Sequence, residues 1–323
     1  MQGLVTVFGG SGFVGAQVVR ALAKRGFRVR AAMRRPGRGY RLRMLGDVGQ
    51  IEVAQANVRD PASVARALDG AQGCVNLVGV LSERGRQRFQ SVHATGARTI
   101  AEAASKAGVT RLVQVSALGA SPDALSKYAR SKAEGEAAAR EGFAGAVILR
   151  PSIVFGPGDG FFNRFARMAA LSPVLPLIGG GHTRFQPVFV GDAAAAVAQC
   201  VLDPAVAGQT FELGGPGVYT FEALMKLILD AIERRALLLP IPFPVASLIG
   251  LAGDLQAMVM PPILTSDQVA VLRSDNVVSP GAVGLAALGV TPTALEAILP
   301  TYLNRYRKGG QYADLVEASP VVA

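Results

Sequence analysis

Short apolar runs alternate with amphipathic segments along the first half of the chain. The stretch GLVTVFGGSGFVGAQVVRALAKRG (residues 3–26) predicts a buried strand, a glycine turn and a helix whose apolar residues recur at helical spacing. The same pattern predicts further strands within the segments 27–35, 51–70, 73–80, 111–120 and 145–160. Helical segments separate these strands, and this alternation indicates an α/β fold with a doubly wound parallel sheet.

The alternation changes after residue 155, where a helix, a Gly/Pro-rich loop and shorter apolar runs follow. Residues 186–204 return to the strand-then-helix pattern of the first half. We therefore predict a first domain over 1–155, which 186–204 rejoins, and a smaller C-terminal α/β lobe over 156–323.

Three helix starts are marked by residues that commonly cap helices. Asp60 stands directly before Pro61 and is expected to be the N-cap of the helix after the third strand. Asp192 is expected to cap the helix of the returning segment in the same way, and Thr265 or Ser266 a helix near the end of the chain.

The turn after the first strand carries glycines at a spacing that suits a dinucleotide. Gly10, Gly12 and Gly15 satisfy G-x-G-x-x-G between a strand and a helix, where the backbone can approach a pyrophosphate and the helix N-terminus offers free N–H groups. This context predicts an NAD(P)-binding Rossmann fold whose smaller lobe closes over the nicotinamide end. The cofactor-binding residues expected in the turn are Gly9, Ser11, Gly12, Phe13 and Val14.

Two arginines follow the second strand, where an NAD-preferring site usually has an acidic residue for the ribose 2′-hydroxyl. Arg34 and Arg35 stand nineteen and twenty residues after Gly15, and an arginine there suits a 2′-phosphate. The cofactor is therefore predicted to be NADP(H), with a solvated basic loop as the alternative reading of these arginines. The ends of the following strands add Asn57 and Val58, expected beside the adenine ring, and Leu77.

Positive charge is concentrated at one end of the chain. Residues 1–46 hold ten Lys or Arg and no Asp or Glu, so that they account for the whole net charge of +10. This segment suggests an anionic ligand or surface. The chain has no Trp and no recognition-helix motif, and we expect no nucleic-acid partner.

The remaining composition limits other kinds of site. Cys74 and Cys200 form neither a disulfide framework nor a metal-binding spacing, and with only His93 and His182 no metal site is expected. The apolar stretch at 236–253 contains three prolines, which make it too broken to predict a membrane span. It could instead lie on a membrane surface or against a partner.

The segment SKYARSK (126–132) carries the candidate acid–base chemistry. Tyr128 and Lys132 are four residues apart and so share one face of a predicted helix. A lysine beside a tyrosine favours the phenolate, which makes the phenol a better proton donor or acceptor near neutral pH. The alternative is an ordinary helix face with a half-buried tyrosine and a solvated lysine.

Taken in order, these motifs resemble the extended short-chain dehydrogenase/reductase superfamily. The shared motifs are GGSGFVG, NLVG, VSALGA, YARSK, LRPSIVFGPGD and PVFVGDAAAAV, between residue 3 and about residue 200. In working members of the superfamily a Ser or Thr beyond the fifth strand holds the substrate oxygen, the tyrosine moves a proton and the lysine grips the nicotinamide ribose. The cofactor-binding candidates at the nicotinamide end are therefore Ser116, Tyr128, Lys132, Pro151 and Ile153.

A narrower resemblance extends over nearly the whole chain. The segments SVHATGARTIAEAA, SKYARSKAEGE, RFQPVFVGDAAAAV and LTSDQVAVLRSDNVV resemble a bacterial version of the NADPH-binding accessory subunit of respiratory complex I, the alpha subcomplex subunit nine family. That resemblance implies tightly held NADPH with a structural role and other complex I subunits as partners. It also implies a peripheral position near the membrane, which in a bacterium is the cytoplasmic side of the inner membrane.

One departure from the catalytic pattern favours this branch. The usual position of the active Ser or Thr falls on Leu118, which cannot donate a hydrogen bond, although Ser116 or Ser121 could substitute. His93 falls near the place where active members carry an asparagine, and a packed histidine bonded to the backbone is expected there. The leading hypothesis is therefore an accessory subunit in which the tyrosine and lysine hold the cofactor without turnover.

Two alternatives stay open. A free NADP-dependent reductase or epimerase, acting on a small carbonyl, sugar or quinone, would use Tyr128 and Lys132 as its catalytic residues. A redox-sensing regulator that binds NADP(H) and a protein partner is the third hypothesis.

Overall fold

The computed structural model describes residues 2–256 and 264–310. Thirteen strands lie in this part of the chain. They are β1 Gln2–Phe8, β2 Phe27–Met33, β3 Ile51–Gln55, β4 Gly73–Asn76, β5 Arg111–Val115, β6 Val147–Pro151, β7 Val154–Phe155, β8 Val174–Ile178, β9 Arg184–Phe185, β10 Val188–Phe189, β11 Thr210–Leu213, β12 Tyr219–Thr220 and β13 Leu237–Ile241.

Ten α-helices lie between and after these strands in the described residues. They are α1 Phe13–Lys24, α2 Pro61–Leu68, α3 Thr95–Lys106, α4 Lys127–Gly142, α5 Phe162–Leu171, α6 Val190–Leu202, α7 Phe221–Ala231, α8 Phe243–Gln256, α9 Ser266–Val271 and α10 Leu295–Leu303. A single π-helical turn, Gln90–Ala94, leads into α3.

Seven strands form one sheet in the order β11-β6-β5-β4-β1-β2-β3, and every neighbouring pair is parallel. Buried aliphatic residues cover both faces, with α1 and α6 packed on one side and α2, α3 and α4 on the other. Strands buried on both faces have near-continuous apolar sequences, which is the pattern that predicted them. The predicted doubly wound Rossmann sheet is confirmed, and the strand order reverses between β1 and β4, where such sheets bind ligands.

Two late segments belong to the main sheet and its helical layers. Helix α6 packs against α1, so the returning segment 186–204 reaches the sheet. Strand β11 pairs with β6 from Thr210–Ile148 to Leu213–Pro151, although the sequence division placed it in the smaller lobe. A four-residue strand after a helix has little periodicity of its own, and its partner lies more than sixty residues earlier.

The smaller lobe is built from α5, α7 and α10 and from short strand pairs. Strand β13 lies parallel to β8, and β12 lies antiparallel to β9. The core of this lobe contains a cluster of phenylalanine rings that includes Phe161, Phe165, Phe185 and Phe221. Residues 257–263 and 311–323 of the predicted lobe lie outside the described residues.

Two of the three predicted caps are present. The Asp60 carboxylate accepts from the Ala62 N–H at the start of α2, and Thr265 caps α9 with a capping box that includes Gln268. The Asp192 prediction is wrong, because α6 begins at Val190 and the Asp192 carboxylate instead accepts from the main chain and hydroxyl of Thr293.

In the described part of the chain, no helix combines the length and the apolar composition that crossing a membrane would need.

Candidate functional site

The glycine turn is shaped by close approach of β1 and α1. Gly9 has a φ of +83°, a conformation that favours glycine. A Cβ on Gly15 would lie 2.2 Å from the Gly9 carbonyl oxygen, so the strand end and the helix can meet only at a glycine. Gly12 is the N-cap of α1 and supplies no side-chain cap, which leaves the N–H groups of Phe13 and the residue after it to a ligand.

A cleft of about 250 Å³ opens beside this turn at the carboxyl ends of the central strands. Seven of the predicted cofactor residues line it: Gly9, Ser11, Gly12, Arg34, Asn57, Val58 and Leu77. No carboxylate is among the described residues of its lining, whereas Arg34 and Arg59 both are. The cleft therefore suits an anionic group at the end of β2.

The other predicted residues of this half do not line the cleft. Arg35 is exposed and lies outside the lining. Val14 packs against the core of the sheet, so its part in a cofactor site is limited to its backbone. Phe13 is half-buried beside the loop at Gly158. Arg59 and Gln87, which the sequence did not single out, line the cleft from outside the motifs.

Lys132 lies in the interior beside the end of β5, where the sequence predicts the nicotinamide. Its Nζ donates to the Val115 carbonyl at 3.2 Å, and burial lowers its pKa to about 8, against a smaller opposing effect from Glu136. Gly79, in the cleft lining, lies beside this ammonium: a Cβ there would be in ordinary van der Waals contact with Nζ, at 3.4 Å. The cleft thus reaches the lysine through Gly79.

Tyr128 is not activated in the way the sequence predicts. Burial, and then the nearby carboxylate of Asp267, raise the pKa of the phenol to about 12. The Lys132 Nζ lies 6.0 Å from the centre of the tyrosine ring. The expectation of a favoured phenolate is therefore wrong for the protein alone, because desolvation and a neighbouring negative charge both favour the neutral phenol.

Ser116 and Leu118 follow β5 and have contrasting surroundings. The Ser116 Oγ is buried and has no hydrogen-bond partner in the described structure, which is costly for a hydroxyl unless a ligand supplies the bond. The Leu118 side chain is buried, and its N–H donates to the Pro151 carbonyl at 2.9 Å. At the usual position of the active hydroxyl, the chain thus presents an apolar side chain.

Asn276, from the smaller lobe, fastens the segment that follows β6. Its side-chain oxygen accepts from the Ser152 hydroxyl at 2.7 Å and from the Ile153 N–H at 3.2 Å. Ile153 can therefore offer the nicotinamide its side chain but not its N–H, and its carbonyl already accepts from the Val188 N–H at 2.9 Å. Asn276 was not predicted from the sequence, although it stands in the quoted motif LTSDQVAVLRSDNVV, because nothing in the local pattern shows which strand it meets.

His93 is a packed histidine, as expected. The Val80 N–H donates to Nε2 at 3.0 Å, so Nε2 is an acceptor and Nδ1 carries the proton that meets the Ser131 hydroxyl at 2.8 Å. Burial, and then the charge of Lys132, lower the pKa of the imidazole to about 3. Burial and the charge of Lys132 thus keep the histidine neutral, and its two hydrogen bonds fix the ring and order the loop around Val80.

The residues present fit a dinucleotide. The uncapped helix start, the cleft with no carboxylate among its described lining, the buried Lys132 and the unpartnered Ser116 hydroxyl all lie at the carboxyl ends of the parallel strands, where sheets of this kind bind dinucleotides. In the described residues no group of His, Cys, Asp and Glu side chains could hold a metal ion.

Comparison with known proteins agrees with this fold. Residues 5–214 match the NAD dependent epimerase/dehydratase family. The "NADH dehydrogenase [ubiquinone] 1 alpha subcomplex subunit 9, mitochondrial" of Arabidopsis thaliana is 34% identical over 320 residues, 96% of this chain and 80% of that protein. The protein of the same name from Mus musculus is 36% identical, over 94% of this chain and 80% of its own.

Two further similarities concern enzymes. The ceramide reductase of Caulobacter vibrioides is 33% identical over 243 residues, 75% of each chain. Among solved structures, the NADPH-dependent quinone oxidoreductase of Escherichia coli, complexed with NADPH, has a TM-score of 0.71 at 20% identity and covers 93% of this chain and 100% of its own. The second likeness shows the fold alone.

Proposed function

This chain belongs to the NAD dependent epimerase/dehydratase family, and we propose that it is an accessory subunit of a NADH:quinone oxidoreductase, complex I. The proposal is supported by its similarity, over nearly its whole length, to subunit 9 of the NADH dehydrogenase alpha subcomplex. Its partners are then the other subunits of that complex. Its own role is to hold a cofactor and stabilise the assembly, without turnover.

The cofactor we propose is NADPH. In the described structure, Arg34 lines a cleft that has no carboxylate at the end of β2, and a guanidinium pairs with a 2′-phosphate far better than with a ribose hydroxyl. Gly9, Ser11 and Gly12 would hold the pyrophosphate. The buried Lys132 would donate to the nicotinamide ribose. Its poorly solvated ammonium would then gain charge-assisted hydrogen bonds.

The observation that carries the non-catalytic role is the buried Leu118. In working members of the superfamily a Ser or Thr at that place beyond β5 holds the substrate carbonyl, whereas here it is a leucine whose N–H is already bonded to Pro151. The unpartnered Ser116 hydroxyl is assigned in this proposal to the nicotinamide and not to a substrate. The raised pKa of Tyr128, to about 12, adds to this argument because the phenolate form is disfavoured. Tyr128 and Lys132 are thus better suited to holding the ribose than to proton transfer.

We also propose that the chain lies peripherally on the cytoplasmic side of the bacterial inner membrane. Strand β13 and helix α8 expose a group of apolar side chains, here called the α8 face: Leu237, Leu239, Val245, Leu248, Ile249, Leu251 and Leu255. Arg235 and Arg273 lie near its edges, and the Arg273 guanidinium packs 5.1 Å from the Phe243 ring centre. An apolar face edged by positive charge suits the surface of an anionic membrane.

Capture from membranes tests the proposal. The tagged chain, purified from mildly solubilised bacterial membranes, should bring other complex I subunits with it, and NADPH should be released on denaturation. The fluorescence of the bound NADPH should persist when carbonyls or quinones are added. A chain recovered without those subunits would reject the assignment to complex I, and steady loss of fluorescence would reject the non-catalytic role.

The alternative is a free NADP-dependent reductase, favoured by the similarity to the ceramide reductase and by the paired Tyr128 and Lys132. NADPH, when bound, would supply a hydride, and Tyr128 would supply the proton. Tyr128→Phe separates the two functions. It should leave respiratory activity of the membranes within about twofold if the chain is an accessory subunit, and it should abolish carbonyl reduction if the chain is a reductase.

A further inference from the structure

The helix that carries Tyr128 and Lys132 is capped from the smaller lobe. The carboxylate of Asp267, in α9, accepts from the Lys127 N–H at 2.6 Å, from the Ser126 hydroxyl at 2.9 Å and from the Tyr128 N–H at 3.2 Å. About 140 residues of sequence separate the two sides of this contact. No role of Asp267 was predictable from the local sequence pattern.

Asp267 completes a cap that Ser126 begins. The Ser126 Oγ accepts from the Ala129 N–H at 3.2 Å, as an ordinary N-cap does. Asp267 then satisfies the two N–H groups that Ser126 leaves open, and its negative charge stands at the positive end of the helix dipole. The position of the first turn of α4, and so of the Tyr128 side chain, is therefore set by two separate elements.

Asp267 is in turn fixed to α8. The Asp254 carboxylate of α8 accepts from the Ser266 N–H and hydroxyl. The approach of the segments needs glycine, since a Cβ on Gly250 would lie 2.8 Å from the Ser266 Cα and one on Gly253 would lie 1.7 Å from the Leu264 carbonyl oxygen. Helices α8 and α9 thus form one unit, with the α8 face on its outside and Asp267 on its inside.

We infer that Asp267 is a positioning residue that couples cofactor binding to the placement of the α8–α9 unit. The inference rests on the proposed binding of NADPH by the α4 helix. Because Asp267 bonds to the first turn of α4, the arrangement that best holds the nicotinamide ribose also holds α9 and α8 in place. Binding at either end stabilises the same arrangement, and the coupling is reciprocal.

The experiment compares Asp267→Asn and Asp267→Ala with the wild type. Asn keeps the shape and one acceptor oxygen, so it stays informative if the alanine variant folds poorly. Asp230→Asn, at an exposed position of α7, is the matched control. Each protein is titrated with NADPH, and its amide hydrogen exchange is followed with and without saturating NADPH.

In the wild type we expect NADPH to slow exchange in both the glycine turn and the α8–α9 unit. In Asp267→Asn the Kd for NADPH should rise about fivefold, which corresponds to about 1 kcal/mol. At saturating NADPH this variant should keep the protection of the glycine turn and lose that of α8 and α9. The control should match the wild type within about twofold.

Each other outcome has a distinct meaning. Protection of α8 and α9 by NADPH that is the same in Asp267→Asn and wild type would overturn the coupling and leave the proposed cofactor intact. Exchange in α8 and α9 could also be faster in Asp267→Asn than in the wild type while NADPH slows it by the same factor in both. That result would mean that Asp267 only stabilises the fold, and it would also overturn the coupling. No NADPH binding by the wild type would reject the proposed cofactor and the coupling with it.

Discussion

Lys132 keeps an ammonium group in the interior, where the Val115 carbonyl is a nearby partner. Such a group is poorly solvated, and the lowered pKa of about 8 expresses that cost. A buried charge with spare donors is costly to the protein alone and useful to a bound ribose. The same reasoning applies to the unpartnered hydroxyl of Ser116.

Replacement of Lys132 by methionine should therefore stabilise the cofactor-free protein while weakening NADPH binding. Between the folded-state pKa of about 8 and the ordinary value of 10.5, the unfolded chain binds more protons than the folded chain, so the wild type gains stability as pH rises. The advantage of Lys132→Met should be fully present below pH 8 and should decline by roughly 3 kcal/mol by pH 10.5. Denaturant unfolding of both proteins across this range measures it.

The difference between the two unfolding curves cancels the ionisation of the tyrosines, which both proteins share. Parallel curves across this pH range would show that the Lys132 ammonium is well solvated in the folded protein. They would remove the physical argument for its role in the cofactor site.

Arg34 and Arg35 are adjacent in sequence and differ in position, since only Arg34 lines the cleft. Loss of a charge-assisted contact to a 2′-phosphate costs about 1.5–3 kcal/mol. Arg34→Ala should therefore weaken NADPH binding roughly tenfold to a hundredfold and change NADH binding by less than about threefold. Fluorescence titrations with both nucleotides measure this, and Arg35→Ala is the control. Equal losses for NADPH and NADH would reject Arg34 as the reader of the 2′-phosphate.

At the scale of elements, the β1 turn and α1 are specified by a contact that admits no side chain. Gly15→Ala would place a Cβ 2.2 Å from the Gly9 carbonyl oxygen. Overpacking usually costs 1–3 kcal/mol, and a backbone contact this short should cost about 3 kcal/mol or more. NADPH binding should fall as well, because the helix start must move.

Urea unfolding and NADPH titration test this prediction together. Gly37→Ala is the control, since a Cβ there meets nothing within 4 Å and its backbone needs no positive φ. If Gly15→Ala unfolded at the same urea concentration as Gly37→Ala, β1 and α1 would be able to move apart at little cost in free energy.

Elements were predictable where periodicity and capping chemistry occur in the same short window. Asp60 and Thr265 cap helices whose first turns follow directly in the sequence. Asp192 is an aspartate like Asp60, but its carboxylate bonds to Thr293, 101 positions away, and α6 begins before it. A local pattern shows that a carboxylate can cap a helix and does not show which distant donor competes for it.

At the scale of the whole molecule, the site is assembled from segments far apart in the chain. The glycine turn and Arg34 were predictable because a strand, a turn and a helix are contiguous there. Asn276 and Asp267 were not, since each bonds to the end of an element more than a hundred positions earlier. The sequence could therefore predict residues that line the cleft, whereas the groups that fix the smaller lobe required the tertiary structure.

These long-range bonds join the two lobes at both sides of the nicotinamide end. Asn276 bonds to the segment after β6, and Asp267 bonds to the start of α4. The smaller lobe is thus attached to the parts of the Rossmann lobe that a nicotinamide would contact. Helix α8, which carries most of the α8 face, is in the same α8–α9 unit as Asp267, so the proposed coupling would link this surface to the cofactor site.

The α8 face allows a test that leaves the interior unchanged. Leu248 and Leu255 have side chains that are 68% and 69% exposed, so glutamates there should alter the free energy of unfolding little. Burying two leucines in a membrane surface contributes about 3–6 kcal/mol at most. The double variant Leu248→Glu with Leu255→Glu should therefore lower binding to vesicles of phosphatidylethanolamine and phosphatidylglycerol at least tenfold in a flotation assay.

The matched control is Val48→Glu, since Val48 is fully exposed on the Rossmann lobe. It adds negative charge without touching the α8 face, and we expect its flotation to stay within about twofold of the wild type. NADPH affinity measured in solution should be unchanged in all these proteins, because no membrane is present to bias the α8–α9 unit. Undiminished flotation of the double variant would show that the α8 face is not the membrane contact. The exposed leucines would then be assigned to a contact with a protein partner. Recovery of complex I subunits with the same double variant would measure that contact directly.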